Sequence, residues 1–279
     1  MRKLIIYLLK QFNPGTIRIK HHLTKKPFYL DMFLHKGYWY YGTRREKDTI
    51  ALFKDILPEC SFVIDIGANI GYFSQYFFEL MKSPKTLLLF EPENKNLTYL
   101  RKNIDKHNSV RIIEKAVSNK SGTANFYVDD LTGQNNSLLS DYKVFDEVVK
   151  NSGIKNVKKT KIEVQTITID SLLEEEFKSK QPDFIKIDIE GAELLALKGM
   201  QKTIKLHHPT LMVEITENIS ETLQFIHDFG YVIFTPKKRL VAESDYKNVF
   251  FNVFCIHNSK HDLLNKLGIE HNEFSTLES

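Results

Sequence analysis

Between residues 61 and 256, short apolar runs alternate with segments of helical periodicity, and this alternation constrains the fold more than any other feature. "SFVIDI" reads as a strand, Tyr72 to Met81 as a helix, and "TLLLFE" as a second strand. "NKNLTYLRKNIDKH" puts Leu97, Leu100 and Ile104 on one helical face. "VRIIEKAV" predicts a third strand. "DFIKID" predicts a fourth, followed by a helix over 192–205; "TLMVEI" predicts a fifth, followed by a helix over 219–229. Gly230 stands where a helix C-cap glycine belongs. "YVIFT" and "VFFNVFCI" have no helix between them, so they are expected to pair as a hairpin. The pattern predicts an α/β fold: a doubly wound, Rossmann-like, mostly parallel seven-stranded sheet with one antiparallel edge strand.

The chain has 279 residues, enough for one large domain with an appendage. Residues 1–50 read as a basic, aromatic-rich extension, 51–257 as the domain, and 258–279 as a tail. Residues 1–30 carry seven basic residues and no acid, which leaves 32 basic against 35 acidic residues elsewhere. The positive balance therefore belongs to the N-terminus. "LIIYLL" (Leu4 to Leu9) is too short to span a bilayer, which takes roughly 20 residues. Its basic flanks suit peripheral contact with an anionic membrane, or a solvated helix packed on the domain. "NPG" at Asn13 to Gly15 ends that first helix candidate. A helix is expected over Asp48 to Leu57. The aromatic run at residues 28–42 reads as core or as one wall of a pocket. Residues 122–169 interrupt the alternation with two polar-alternating strands, "TANFYV" and "KIEVQTITI", and a loop between them, an inserted hairpin or lid. Cys60 and Cys255 stand in apolar stretches and read as buried thiols in a reducing, cytoplasmic setting.

"VIDIGANIGYFSQYF" (63–77) nearly matches a dinucleotide loop. That fingerprint needs glycine where this chain has Asn69 and Tyr72, and Tyr72 would block close backbone approach. What remains is Asp65-x-Gly67-x-Asn69-x-Gly71. Asn tolerates a left-handed backbone, and Asp65 would repel a phosphate. The loop suits a ligand with a cationic part and no phosphate, such as S-adenosylmethionine. Its carboxylate is expected on the loop N–H groups and helix N-terminus, and its ammonium on Asp65 directly or through water. Glu91 ends the second strand, where a carboxylate can accept both ribose hydroxyls. Adenine is expected near Ala116, Val117 and Ser118.

In "DFIKIDIEGAELLALKGM", Phe184, Lys186 and Asp188 share one strand face. A mid-strand Lys186 must be paired with a neighbouring acid or stand beside an active site. Asp188, Glu190 and Glu193 cluster at the strand's carboxyl end, and Glu214 ends the next strand. Such acids can act as a general base, bind a divalent cation, or shape the field around a sulfonium. Glu190-Gly191 also reads simply as a turn. His207 and His208 precede the fifth strand at its amino end and read as structural.

In order, "FVIDIGANIGYFS", "FEPENKN", "KAVSNKSGTANFYV", "TITIDSLL" and "FIKIDIEGAELLALKGM" resemble the FkbM-type methyltransferases. The resemblance covers about residues 60–215. It implies a class I S-adenosylmethionine-dependent fold and O-methylation of a hydroxyl, often on a sugar, glycan or secondary metabolite. Asp65, Gly67, Asn69, Gly71 and Glu91 match the family's cofactor motifs, and Asp188 and Glu190 its hallmark. "GQNNSLL" resembles a polar segment after the inserted strand, a lid that would bring Asn135, Asn136 and Ser137 to the pocket. The leading catalytic candidates are Asp188, Glu190, Lys186 and Glu214. Rival readings are a non-catalytic module of the same fold and a nucleic-acid methyltransferase. The second lacks the Asn/Asp-Pro-Pro-aromatic loop after the fourth strand and a nucleophilic Cys there. Lys155, Lys158, Lys159 and Lys161 read as a solvated face, and no nucleic-acid partner is expected.

Overall fold

A computed structural model describes residues 11–44, 46–104, 107–129, 136–140, 150, 159–249 and 251–269. Leu4 to Leu9, Asn135 and residues 270–279 lie outside these, as do Lys155 and Lys158. The first described strands, β1 (Thr16–Lys20) and β2 (Pro27–Asp31), form an antiparallel hairpin. Two helices follow, α1 (Lys36–Tyr41) and α2 (Lys47–Ile56). The alternating part begins with β3 (Phe62–Ile66), α3 (Tyr72–Leu80), β4 (Thr86–Phe90), α4 (Asn94–Asn103) and β5 (Val110–Ile113). Next comes β6 (Ala116–Val117), and the insertion contributes β7 (Gly122–Asp129) and β8 (Lys159–Ile167). Then come α5 (Ile169–Glu176), β9 (Phe184–Ile187), α6 (Glu193–Lys198), α7 (Gln201–His207), β10 (Thr210–Ile215) and α8 (Ile219–Asp228). The last elements are β11 (Tyr231–Phe234), β12 (Phe251–His257) and α9 (His261–Leu267).

The main sheet runs β11-β12-β10-β9-β3-β4-β5, and β12 is antiparallel to both its neighbours. The expected seven strands and the hairpin are present. The antiparallel strand, however, lies one place in from the edge. The crossover from β10 through α8 to β11 skips one position, and β12 fills it. The exposed edge is then the four-residue β11, short enough to limit unwanted pairing.

Alternation along the buried strands feeds two cores. Val63, Leu87, Leu89, Phe184 and Met212 face α2, α3, α4 and α9. Ile64, Leu88, Ile185, Ile187 and Val213 face α5, α6, α7 and α8. The N-terminal hairpin joins the first core, where Phe28 and Leu30 are fully buried. Asn103 fixes it there: its side chain accepts from Tyr29 N (2.6 Å) and donates to Tyr29 O (2.8 Å) and Ile70 O (2.8 Å). Leu264 and Leu267 of α9 pack in the same core, so residues 261–267 are a docked helix. Cys60 and Cys255 are free and buried.

Two expected elements are broken. "VRIIEKAV" divides into β5 and β6, because β6 leaves the main sheet to pair with β8 in a three-stranded sheet ordered β6-β8-β7. The helix over 192–205 divides into α6 and α7. Gly199 presses on the Ser118 carbonyl, where an added Cβ would lie 2.1 Å from that oxygen. Its own carbonyl accepts from Asp170 N instead of continuing the helix. The Asp170 carboxylate then caps α7 by accepting from Lys202 N (3.0 Å) and Thr203 N (2.9 Å).

Candidate active site

The strand order reverses beside β3, the position where open α/β sheets bind ligands. A cleft of about 240 Å3 opens there across the carboxyl ends of β3, β4, β9 and β10. Gly67, Asn69, Glu91, Ala116, Val117, Asp188, Glu190 and Glu214 all line it. These are residues that sequence reasoning nominated, now brought to one place. Tyr38 forms part of the wall, as expected for a residue of the aromatic run.

The glycine loop is tightly determined. Gly67, Asn69 and Gly71 have φ of 80°, 50° and 86°, so the expected left-handed asparagine is present. An added Cβ on Gly67 would lie 1.9 Å from the Asp188 carbonyl oxygen. Four of the loop's amides are committed internally. Gly67 N and Ala68 N donate to Phe90 O, Asn69 N donates to Glu91 Oε2 (2.9 Å), and Gly71 N donates to Ala68 O. This corrects the expectation that these N–H groups hold a ligand carboxylate.

Asp65 requires a second correction. Parallel register places it beside Lys186. Asp65 is fully buried, accepts from Ser74 Oγ at 2.6 Å, and lies 3.2 Å from Lys186 Nζ. It does not line the cleft, which closes the direct one of its two expected routes to a ligand ammonium. Lys186 is buried too. Its Nζ also reaches Asp188 Oδ2 (3.2 Å) and Gly67 O (3.0 Å). Burial works against its charge, but the Asp188 and Asp65 carboxylates outweigh burial and raise its pKa. Both readings open for Lys186 hold: it is paired with Asp65 and Asp188, and through Asp188 it stands beside the cleft. Lys186 is a positioning residue that braces Asp188 from beneath.

Glu91 is buried and aimed at the cleft. Oε1 accepts from Glu93 N (2.9 Å) and Asn96 Nδ2 (3.4 Å). Burial pushes its pKa up to about 7, against the pull of these hydrogen bonds. Glu214 is raised well above the usual carboxylate range by burial first, then by the charges of Asp188, Glu190 and Glu46. It is also hydrogen-bonded to Asp188. Burial and the neighbouring acids thus disfavour the charged form of Glu214, whereas Asp188 lies against the Lys186 cation at 3.2 Å. Carboxylate oxygens of Asp188, Glu190 and Glu214 lie within 4.8 Å of one another, close enough to share a cation.

Glu193 stays out of the cleft. Its Oε1 accepts from Ile189 N (3.3 Å) and Gly191 N (2.9 Å), which fixes the turn that projects Glu190 at φ 56°. Burial raises its pKa to about 7. The insertion is tied to this turn, since Ser137 Oγ donates to Glu190 O at 2.6 Å. Asn136 lines the cleft, while its Oδ1 accepts from Asp129 N (2.8 Å). Ser118 backs Gly199 instead of lining the cleft. His207 and His208 lie at the amino end of β10, and His208 stacks on His257 with centroids 3.5 Å apart. Sequence reasoning missed Asn96, Phe126 and Thr216 as lining residues. Asn96 had a signal, lying five residues past Glu91 in the same motif. Phe126 and Thr216 had none.

This strand order, with ligand-facing acids at the ends of β4, β9 and β10, defines a class I methyltransferase fold. The model described as the methyltransferase FkbM domain matches residues 65–233, more than half of the chain, and the chain belongs to that family of S-adenosylmethionine-dependent methyltransferases. Among curated proteins, Methyltransferase sdnD of Sordaria araneosa is 30% identical over 164 residues, 52% of this chain and 62% of that protein. Methyltransferase 1 of Beauveria bassiana (strain ARSEF 2860) is 26% identical over 159 residues, 51% of this chain and 59% of that protein. The chain thus matches about three-fifths of the length of each. A crystal structure of Methyltransferase FkbM from Methylobacillus flagellatus KT aligns with a TM-score of 0.44 and 19% identity, covering 72% of this chain and 44% of that one.

Proposed function

We propose that the chain moves a methyl group from S-adenosylmethionine to a hydroxyl of a small-molecule, sugar or glycan acceptor. One observation carries this: a single cleft collects Glu91, Ala116, Val117, Asp188 and Glu214 at the carboxyl ends of the strands. S-adenosylmethionine supplies an electrophilic methyl when bound. Glu91 Oε1 already accepts from two protein donors, but Oε2 accepts from Asn69 N alone and keeps a lone pair for a ribose hydroxyl. Ala116 and Val117 offer an apolar seat for adenine. Asp188 accepts the proton of the acceptor hydroxyl at a carboxylate oxygen. Lys186 Nζ lies 3.2 Å from Asp188 Oδ2, and a neighbouring cation weakens a carboxylate as a base. Alignment is therefore the larger contribution: positioning is worth up to roughly 7–11 kcal/mol, against about 10²–10⁴-fold for a base.

A second reading rests on the three clustered carboxylates. A divalent cation held by Asp188, Glu190 and Glu214 would need all three carboxyls ionised, since metal ligands must be deprotonated. Chelator treatment followed by titration with magnesium or manganese distinguishes it from the metal-free base. Peripheral contact with an anionic membrane through the basic N-terminus, in a cytoplasmic setting, is a further part of the proposal. No helix among the described residues is long and apolar enough to cross a membrane. Sedimentation with anionic and neutral vesicles tests that contact.

The test of the reaction is transfer of labelled methyl onto sugars, nucleotide sugars, glycolipids and hydroxylated metabolites. Label on an acceptor oxygen is expected, with a loss of about 10²–10⁴-fold in Asp188→Ala. Full turnover in that variant would remove Asp188 from the base role. Label found only on nitrogen or sulfur would contradict O-methylation.

A further inference from the structure

The crevice does not stop at Glu214. On its other side, the same residue lines a second cleft of about 680 Å3. The N-terminal end of α2, the turn after β11 and the start of β12 enclose it. Four cations line this cleft, Arg44, Lys47, Lys237 and Arg239, and none has an ion-pair partner among the described residues. The contrast with Lys238 is direct. That neighbour in sequence points elsewhere and pairs with Asp55 at 3.5 Å. Three acids share the cleft: Glu46, Asp48 and Glu214. Glu46 is held by neutral donors, Thr49 Oγ1 (3.0 Å) and Asn252 Nδ2 (2.8 Å). The cations are left to solvent or to a ligand.

Asn252 adds an independent observation. It is the cross-strand register partner of Glu214 and lines the same cleft. It is more than nine-tenths buried, and its Oδ1 accepts no hydrogen bond among the described residues. A buried acceptor without a donor is costly, and a ligand hydroxyl is a donor of the right kind. It stands at the junction of the two clefts.

We propose that the acceptor is an anion, a hydroxyl compound carrying a phosphate or carboxylate group. Its hydroxyl end lies at Glu214 and Asn252, and Arg44, Lys47, Lys237 and Arg239 hold its charged end. Arginine's planar fork matches both anions in a bidentate way, and steering by unpaired cations raises the local concentration of an anionic substrate. This inference rests on the methyl-transfer reading, because it assigns the acceptor side of the same crevice.

The test is calorimetry on the full chain at fixed ionic strength, with and without S-adenosylmethionine. The probes are inorganic pyrophosphate, glucuronate and glucose. Saturable heat is expected with pyrophosphate or glucuronate and not with glucose, and the tighter of the two anions identifies the source of charge. In K237E/R239E the anion should bind at least about tenfold more weakly, the loss expected for one charged hydrogen bond. The cofactor heat should stay unchanged, which also shows that the variant is folded. K238E should alter neither titration. Absence of saturable anion heat in the wild type, or equal weakening by K238E, would overturn the proposal. Loss of cofactor heat alone in the wild type contradicts the cofactor assignment and leaves the anion result to stand by itself.

Discussion

The two halves of the crevice treat charge in opposite ways. On the β3 side, ionisable groups are paired with protein partners: Asp65 with Ser74 and Lys186, and Lys186 with two carboxylates and a carbonyl. On the β10 side, burial and neighbouring acids disfavour the charge of Glu214, and four basic residues have no ion-pair partner among the described residues. The first half is a frame of paired charges. The second is left open for something that the protein does not itself supply. A paired network is worth most when intact and is costly to cut, whereas an open one tolerates change and alters binding instead.

Substitutions on the two sides should therefore differ in kind as well as in size. The largest effect is expected from Lys186→Met, which leaves buried Asp65, and Asp188 at the cleft wall, without their counter-ion. Breaking such a pair typically costs about 3–5 kcal/mol, visible as a lower denaturant midpoint. If stability is unchanged, the frame is not electrostatic. Next is Gly67→Ala. Positive φ and the Asp188 carbonyl both oppose it, at on the order of 2–3 kcal/mol, or a fall in Tm of roughly 4–10 °C.

Much of this frame was legible in the sequence. Gly67 and Gly71 were readable because a turn after a buried strand leaves few alternatives. Glu91 was readable because strand ends face the crevice. Asp65 was misassigned because its direction depends on register with β9, more than a hundred residues away. The open half was least legible. Arg44, Lys237, Arg239 and Asn252 are scattered across 200 residues and meet only after β12 inserts between β10 and β11. The breaks at Glu114–Lys115 and Gly199 were hidden for the same reason, since a second sheet and the Ser118 carbonyl impose them.

Smaller effects sharpen the contrast. Glu91→Gln should weaken cofactor binding about tenfold, one charge-assisted hydrogen bond, with little change in stability. Proton linkage gives a related outcome. The folded pKa of Glu91, about 7, lies above its unfolded value, so the folded state holds the extra proton. The contribution of this group to stability is therefore present at low pH and declines as pH rises from about 4.5 to 7. Glu193 adds a decline of the same sign. Ribose hydroxyls donate to the ionised form, so cofactor affinity should rise severalfold between about pH 6 and 8, and Glu91→Gln should abolish that rise. An unchanged slope in the variant would show that another group titrates.

The central claim is that the cleft beside β3 and β4 holds the adenosyl cofactor. Titrating the full chain with S-adenosylhomocysteine in a calorimeter tests it most directly. One saturable site per chain is expected, weakened in Glu91→Gln and intact in K237E/R239E. No heat with the wild type, or equal binding in Glu91→Gln, would contradict it.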